Sequence, residues 1–278
     1  MCSSDLLYRR FASELNRLTR TWLTVDFDDL RHVPSAQGHP TRSKNPTSSK
    51  ALSEPYKVAM NAFDSWLAST THPVTLFVIA DLFESDEFGA WFDGLLAAYG
   101  ERLTVGCHGL THRSWSAWPE DSEGFSSALK QATAVIAERA NDRFRPWFRA
   151  PAGYMAPWMA SALARLGYTV DTSVNPSWLV RKKAGKGNSW ADVTKAVRAA
   201  NLIERPWAIA FGFPANGPAL NLFPLSVLAK RMWRKAPPVL KPSEVDAFVC
   251  DEHKTLVTLY WHVLDHAREK GKWMPPLA

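Results

Sequence analysis

Seven short apolar runs constrain this sequence more than any other feature: residues 22–25, 74–80, 103–107, 147–149, 168–171, 202–208 and 256–261. A strand with one wet face alternates apolar and polar residues, whereas near-continuous runs belong to strands covered on both faces, the condition of parallel sheets. Between the runs lie helical patterns. Residues 51–69 gather Val58, Ala59, Ala62, Phe63, Trp66 and Leu67 on one face, and 86–99 gather Phe88, Trp91, Phe92, Leu95 and Leu96. Further helices are expected around 122–140 and 156–166, and a short basic amphipathic one over 225–235. This alternation predicts an α/β fold with parallel strands. Apolar residues at helical spacing between Leu6 and Leu18 predict an N-terminal helix within 1–20, packed on a single domain of 21–278.

In parallel barrels chemistry gathers at the C-terminal strand ends, and the polar residues of this chain collect there: Asp26 and Asp28, His108, Arg149, Asp171 and His262. The stretch Gly106-Cys107-His108-Gly109-Leu110-Thr111-His112 leaves a strand with two histidines four residues apart. A helical turn starting there would point both imidazoles at one atom, and neutral imidazole is a common ligand for zinc-like metals. Alone, such a pair is as readily solvated or packed in a core. Asp26, Asp28 and Asp29 crowd another strand end, where their repulsion and desolvation call for a cation or an arginine. His32, His39, His253 and His266 read as surface residues.

The 33 basic and 27 acidic residues are scattered rather than striped, so the net charge of +6 does not point to nucleic acid. Cys2, Cys107 and Cys250 are too few and too far apart for a disulfide framework or a CxxC metal site. The first residues lack the apolar core of a signal peptide and no stretch is apolar enough to span a bilayer, so the expectation is a cytoplasmic protein. Thirteen tryptophans exceed what a core of this size uses. Indole faces suit sugar rings, and Trp115, Trp178 and Trp261 are candidates to line a substrate groove.

Taken in order, these motifs resemble the polysaccharide deacetylase family, the NodB-homology or carbohydrate esterase family 4 enzymes. Thr24-Val25-Asp26-Phe27-Asp28-Asp29 resembles the first motif, His108–His112 the second, and Arg149-Ala150-Pro151-Ala152-Gly153-Tyr154 the third. Asp171-Thr172-Ser173 with Trp178 resembles the fourth, and Leu259-Tyr260-Trp261-His262 the fifth. Gly109 stands where the second motif usually has a hydroxyl residue. The resemblance implies a distorted (β/α)7 barrel of parallel strands. It implies Asp26 as general base held by Arg149, and His262 as general acid oriented by Asp171. Asp28, His108 and His112 become ligands of Zn2+ or another divalent transition metal such as Co2+. Asp28 and Asp29 are the alternative pair for ligand and base. The backbone N–H of Tyr154 would assist the oxyanion, and Tyr154 would contact substrate.

The implied activity is metal-dependent removal of the N-acetyl or N-formyl group of an amino sugar. The substrate is a glycan, lipid-linked or small glycoconjugate, with weak membrane-surface contact through 225–235 as a further expectation. The rivals are a same-fold amidohydrolase acting on a non-sugar amide or cyclic imide, and a non-catalytic glycan-binding relative.

Overall fold

The computed structural model describes residues 19–44 and 50–278. The expected N-terminal helix lies outside the described residues up to residue 18, and Arg20 opens a strand instead. Seven strands form one parallel sheet: β1 (Arg20–Phe27), β2 (Val74–Val78), β3 (Leu103–Cys107), β4 (Phe144–Phe148), β5 (Val170–Asp171), β6 (Ile203–Glu204) and β9 (Leu256–His262). Their order is β6-β5-β4-β3-β2-β1-β9. Each strand falls on one of the seven apolar runs, although β6 is far shorter than the run 202–208. A parallel bridge from Trp207 to Thr258 joins the chain beyond β6 to β9, so the sheet curls toward a barrel. A small antiparallel hairpin, β7 (Ile209–Ala210) and β8 (Phe213–Pro214), stands apart.

The helices that cover the sheet are α1 (Glu54–Ser69), α2 (Asp86–Tyr99), α3 (Ser122–Ala140), α4 (Pro157–Arg165) and α5 (Trp190–Ala199). After the hairpin come α6 (Leu225–Trp233) and the short α7 (Val245–Val249). Among the described residues, no helix is long and apolar enough to cross a membrane.

Strand periodicity sorts the side chains to two sides. Leu23, Val25 and Phe27 of β1 and Leu76 and Val78 of β2 pack under the helices with Phe63, Trp66 and Phe88. Trp22 and Phe77 point the other way and join Trp147 and Val170, with Trp22 edge-on to Trp147 at 5.6 Å. Each such side chain contributes roughly 1.5–3 kcal/mol by burial. Gly106 sits opposite Phe77. A Cβ there would fall 2.6 Å from Phe77 Cε1, so the interior has room for Phe77 only because β3 carries glycine at this level. Thr24 and Asp26 continue the inward face of β1, and register sets Asp26 beside His262 on β9.

Candidate active site

Asp26, Asp28, His108, His112 and His262 line one cavity of about 540 Å³ at the C-terminal ends of β1, β3 and β9, with Trp207, Tyr260, Lys183, Arg42 and Asp265 among its other walls. Asp26 is 3 % exposed and Arg149 fully buried. Two charges so placed cost several kcal/mol each unless they pair, and they do: Arg149 Nη1 donates to Asp26 Oδ1 at 2.6 Å. The other guanidinium donors are spent on Thr24 Oγ1 at 2.8 Å and the Thr172 carbonyl at 3.2 Å, and the cation lies 4.3 Å over the Phe77 ring. Arg149 therefore fixes one carboxylate oxygen of Asp26 and leaves Oδ2 facing His108 Nε2, 3.9 Å away.

Asp29 is turned from this cavity. Its carboxylate accepts from the Leu30 and Ser53 amides and from the Ser53 hydroxyl, and Ser53 caps α1 by accepting from the Tyr56 N–H. Asp29 thus ties the exit of β1 to the start of α1. Asp28 is the opposite case: its Oδ1 is buried with no hydrogen-bond partner. Burial pushes the Asp28 carboxyl up to about 6; His262 works against that rise and Asp26 adds to it.

No helical turn begins at His108. The segment is an irregular loop in which Gly109 takes φ +98°, the left-handed region, with the Thr111 carbonyl 3.0 Å from where a Cβ would stand. This accounts for glycine where the resembled motif has a hydroxyl residue. The loop still brings the two imidazoles together, their centroids 5.4 Å apart. His108 Nδ1 meets the Arg149 carbonyl at 2.8 Å, whereas His112 Nδ1 is buried without a partner. Burial lowers His108 to about 4 and His112 well below the ordinary histidine value, so both are neutral at pH 7.

Among the described residues, no group of three or more His, Cys, Asp or Glu side chains is arranged to hold a metal ion. The donor chemistry nevertheless fits a zinc-like ion: a buried carboxylate oxygen and a buried imidazole nitrogen both lack partners, beside a second neutral imidazole in the same cavity.

His262 differs from the other two. Burial alone would lower it, but Asp28, then Asp265, then Asp26 outweigh that and raise it to about 9. Its Nδ1 lies 3.7 Å from Asp265 Oδ2, and its backbone N–H donates to the same oxygen at 3.2 Å. Asp171, expected to orient His262, lies elsewhere, and the carboxylate beside His262 is that of Asp265. Asp171 accepts from the Ser173 hydroxyl at 2.6 Å and amide at 3.1 Å and shares a hydrogen bond with the Glu204 carboxyl; among the described residues it has no hydrogen bond or ion pair with His262. Asp265 was missed, although an acid three residues beyond a strand-end histidine is the spacing of a capping turn.

The aromatic predictions need correction. Trp261 is fully buried on the opposite side of β9 from Tyr260 and His262, with its Nε1 donating to His266 at 2.9 Å. Trp115 is buried edge-on against Phe125 at 5.4 Å under Arg113. Trp178 is 58 % exposed and meets Phe213 at 5.7 Å, away from the cavity lining. Trp207 and Tyr260 supply the flat walls instead. Tyr154 is 9 % exposed against His39, and its backbone N–H donates to the Pro151 carbonyl at 3.1 Å rather than standing free for an oxyanion. His32 and His266, expected at the surface, are buried.

With the geometry established, comparison with known proteins shows what the chain is similar to. Residues 55–170 match the polysaccharide deacetylase family. That span holds His108, His112, Arg149 and Tyr154, while Asp26, Asp28, Asp171 and His262 lie outside it. A candidate polysaccharide deacetylase from Mycobacterium smegmatis is similar in structure, with a TM-score of 0.54 at 18 % identity over 91 % of this chain and 80 % of its own. PuuE allantoinase follows, with a TM-score of 0.52 at 10 % identity over 91 % of this chain and 80 % of its own. A CE4 family pseudoenzyme from Bacillus anthracis has a TM-score of 0.41 at 10 % identity over 87 % and 69 %. At these identities the first two likenesses establish the fold alone, seven parallel strands in a curled sheet covered by helices. No curated protein sequence matches the chain. The resemblance to the polysaccharide deacetylase family read from the motifs is borne out over residues 55–170.

Proposed function

We propose that this chain is a metal-dependent N-deacetylase that hydrolyses the N-acetyl or N-formyl group of an amino sugar in a glycan, lipid-linked or small glycoconjugate substrate. One observation carries the reading: an arginine-held carboxylate, a carboxylate and an imidazole with unpartnered buried atoms, and the His262 imidazole all open into one cavity. Asp28, His108 and His112 would hold Zn2+ or Co2+, which when bound polarises an acyl oxygen and acidifies water. Asp26 Oδ2, the oxygen that Arg149 leaves unbonded by its Nη1, receives the proton of the attacking water. His262 delivers a proton to the departing amine, with Asp265 Oδ2 3.7 Å from its Nδ1. Trp207 and Tyr260 offer flat faces to a sugar ring.

A cytoplasmic location at the inner face of a membrane belongs to the same proposal. Its support is that Phe211, Leu222, Phe223 and Val227 are exposed within residues 206–243, which hold Lys230, Arg231, Arg234, Lys235 and Lys241 and no acid.

The test is acetate and formate release from a panel of free, nucleotide-linked and lipid-linked N-acyl amino sugars, with cyclic ureides and imides alongside. Release from an amino sugar supports the reading. Turnover confined to ureides or imides assigns the site to the rival amidohydrolase, and sugar binding without turnover to a non-catalytic relative.

A further inference from the structure

We propose that Lys183 and Arg42 form an anion subsite in the wall of the cavity, so that the amino sugar taken by this chain carries a phosphate or carboxylate near its reacting acyl group. The inference rests on the deacetylase reading and specifies its substrate class. Lys183 belongs to the 3-10 segment Trp178–Ala184, and Arg42 to the loop that follows β1. The two come from distant parts of the chain yet line the same cavity as the histidines. Lys183 Nζ donates to the Ala152 carbonyl at 2.5 Å and lies 5.3 Å over the Tyr154 ring, so the ammonium is fixed in place rather than free to swing into solvent. His39, from the same loop as Arg42, packs on the other contact of that ring at 5.3 Å.

What this corner lacks is negative charge. Among the described residues, neither Lys183 nor Arg42 has a carboxylate within 4.0 Å, although the cavity contains three aspartates. Asp26 is taken by Arg149, Asp265 by Arg268 and His262, and Asp28 lies with the histidines. Burial first, and then the Arg42 charge, lower Lys183 to about 8. A half-buried ammonium beside a guanidinium is unfavourable unless an anion offsets it. An oxyanion of the substrate would supply that counter-charge and accept the ammonium protons that Ala152 leaves unused. The same geometry would serve a purely structural brace of the turn Pro151–Gly153, so the experiment must separate binding from bracing.

It compares kcat/KM for N-acetylglucosamine, N-acetylglucosamine 1-phosphate, N-acetylglucosamine 6-phosphate and N-acetylmuramic acid in the wild type, Lys183→Met and Lys183→Arg. The wild type is expected to favour at least one anionic sugar over the neutral one by about tenfold or more. In Lys183→Met the anionic-to-neutral ratio should fall about 10- to 100-fold, the size of a lost hydrogen bond to a charged group, and Lys183→Arg should restore most of it. Which sugar gains separates phosphate from carboxylate. A ratio unchanged in Lys183→Met, with both rates lowered together, means a brace and overturns the proposal, as does a wild type indifferent to charge. Calorimetric binding of the same four compounds to the His262→Ala chain gives a readout without turnover. If no compound is hydrolysed but the anionic ones bind in a Lys183-dependent way, the deacetylase reading falls and the subsite stands.

Discussion

Replacing Asp265 by Asn should move the alkaline limb of the activity profile toward lower pH, while replacing Asp171 by Asn should not. The His262 imidazolium has its Nδ1 3.7 Å from Asp265 Oδ2 and its backbone N–H on the same oxygen. The asparagine keeps the shape and can still accept from that N–H, but it removes the charge. An opposite charge within about 4–6 Å shifts a titrating group by about 1–3 pH units, so the imidazolium should lose its proton about one to two units earlier. The sign follows from the cause: Asp265 is one of the carboxylates that raise His262 above its ordinary value, so in Asp265→Asn the acid form is lost at lower pH than in the wild type. At pH 8.5 the rate should therefore drop about tenfold, with a smaller loss at pH 6.5 and with bound metal retained. The assay is initial acetate release from pH 5.5 to 10. A limb that shifts in Asp171→Asn and stays fixed in Asp265→Asn would refute the assignment of the partner.

Three other outcomes follow from the packing. His266 is 1 % exposed, accepts the Trp261 indole N–H at 2.9 Å, and is pushed down to about 4 by burial; its neutral form is favoured in the fold, so its contribution of about 3 kcal/mol is complete above pH 6.5 and lost as pH falls toward 4. Urea titrations should show a steeper acid-side loss in the wild type than in His266→Gln, where the buried His108 and His112 still contribute theirs, and equal slopes against pH would contradict it. Asp29→Ala should cost about 1–3 kcal/mol, because the Ser53 and Leu30 amides lose their acceptor, while metal content per folded chain stays normal; loss of metal instead would return Asp29 to the site. Vesicles rich in phosphatidylglycerol should sediment the protein where phosphatidylcholine vesicles do not, with Phe211→Ser and Phe223→Ser together removing the difference; equal sedimentation by both lipids would end the membrane proposal.

Most of the barrel is legible in the sequence because strands buried on both faces are written as runs, and the strand-end polar residues stand out against them. The site is legible as far as one strand fixes one residue. Asp26, His108, Arg149 and His262 each leave a buried strand and meet in space. Partner choice is another matter, since Asp171 and Asp265 are both plausible acids and only the curl of the sheet and the turn after β9 decide between them. In a strand the side chains alternate, so Tyr260 and His262 sharing a face sends Trp261 to the helices. No such periodicity governs the loop around Trp115, nor the long-range packing that buries His32 and His266. Lys183 and Arg42 are 141 residues apart in sequence, and nothing local announces that they face one another.

The central claim is that Asp28, His108 and His112 form one metal site beneath an acid and a base. Its most direct test is the metal content per chain of the purified wild type, Asp28→Asn, His112→Ala and His262→Ala, measured by mass spectrometry after exhaustive dialysis against zinc-buffered solution. About one zinc per chain is expected in the wild type, near none in Asp28→Asn and His112→Ala, and a full complement in His262→Ala. A wild type that binds no metal, or ligand variants that keep it, would contradict the account.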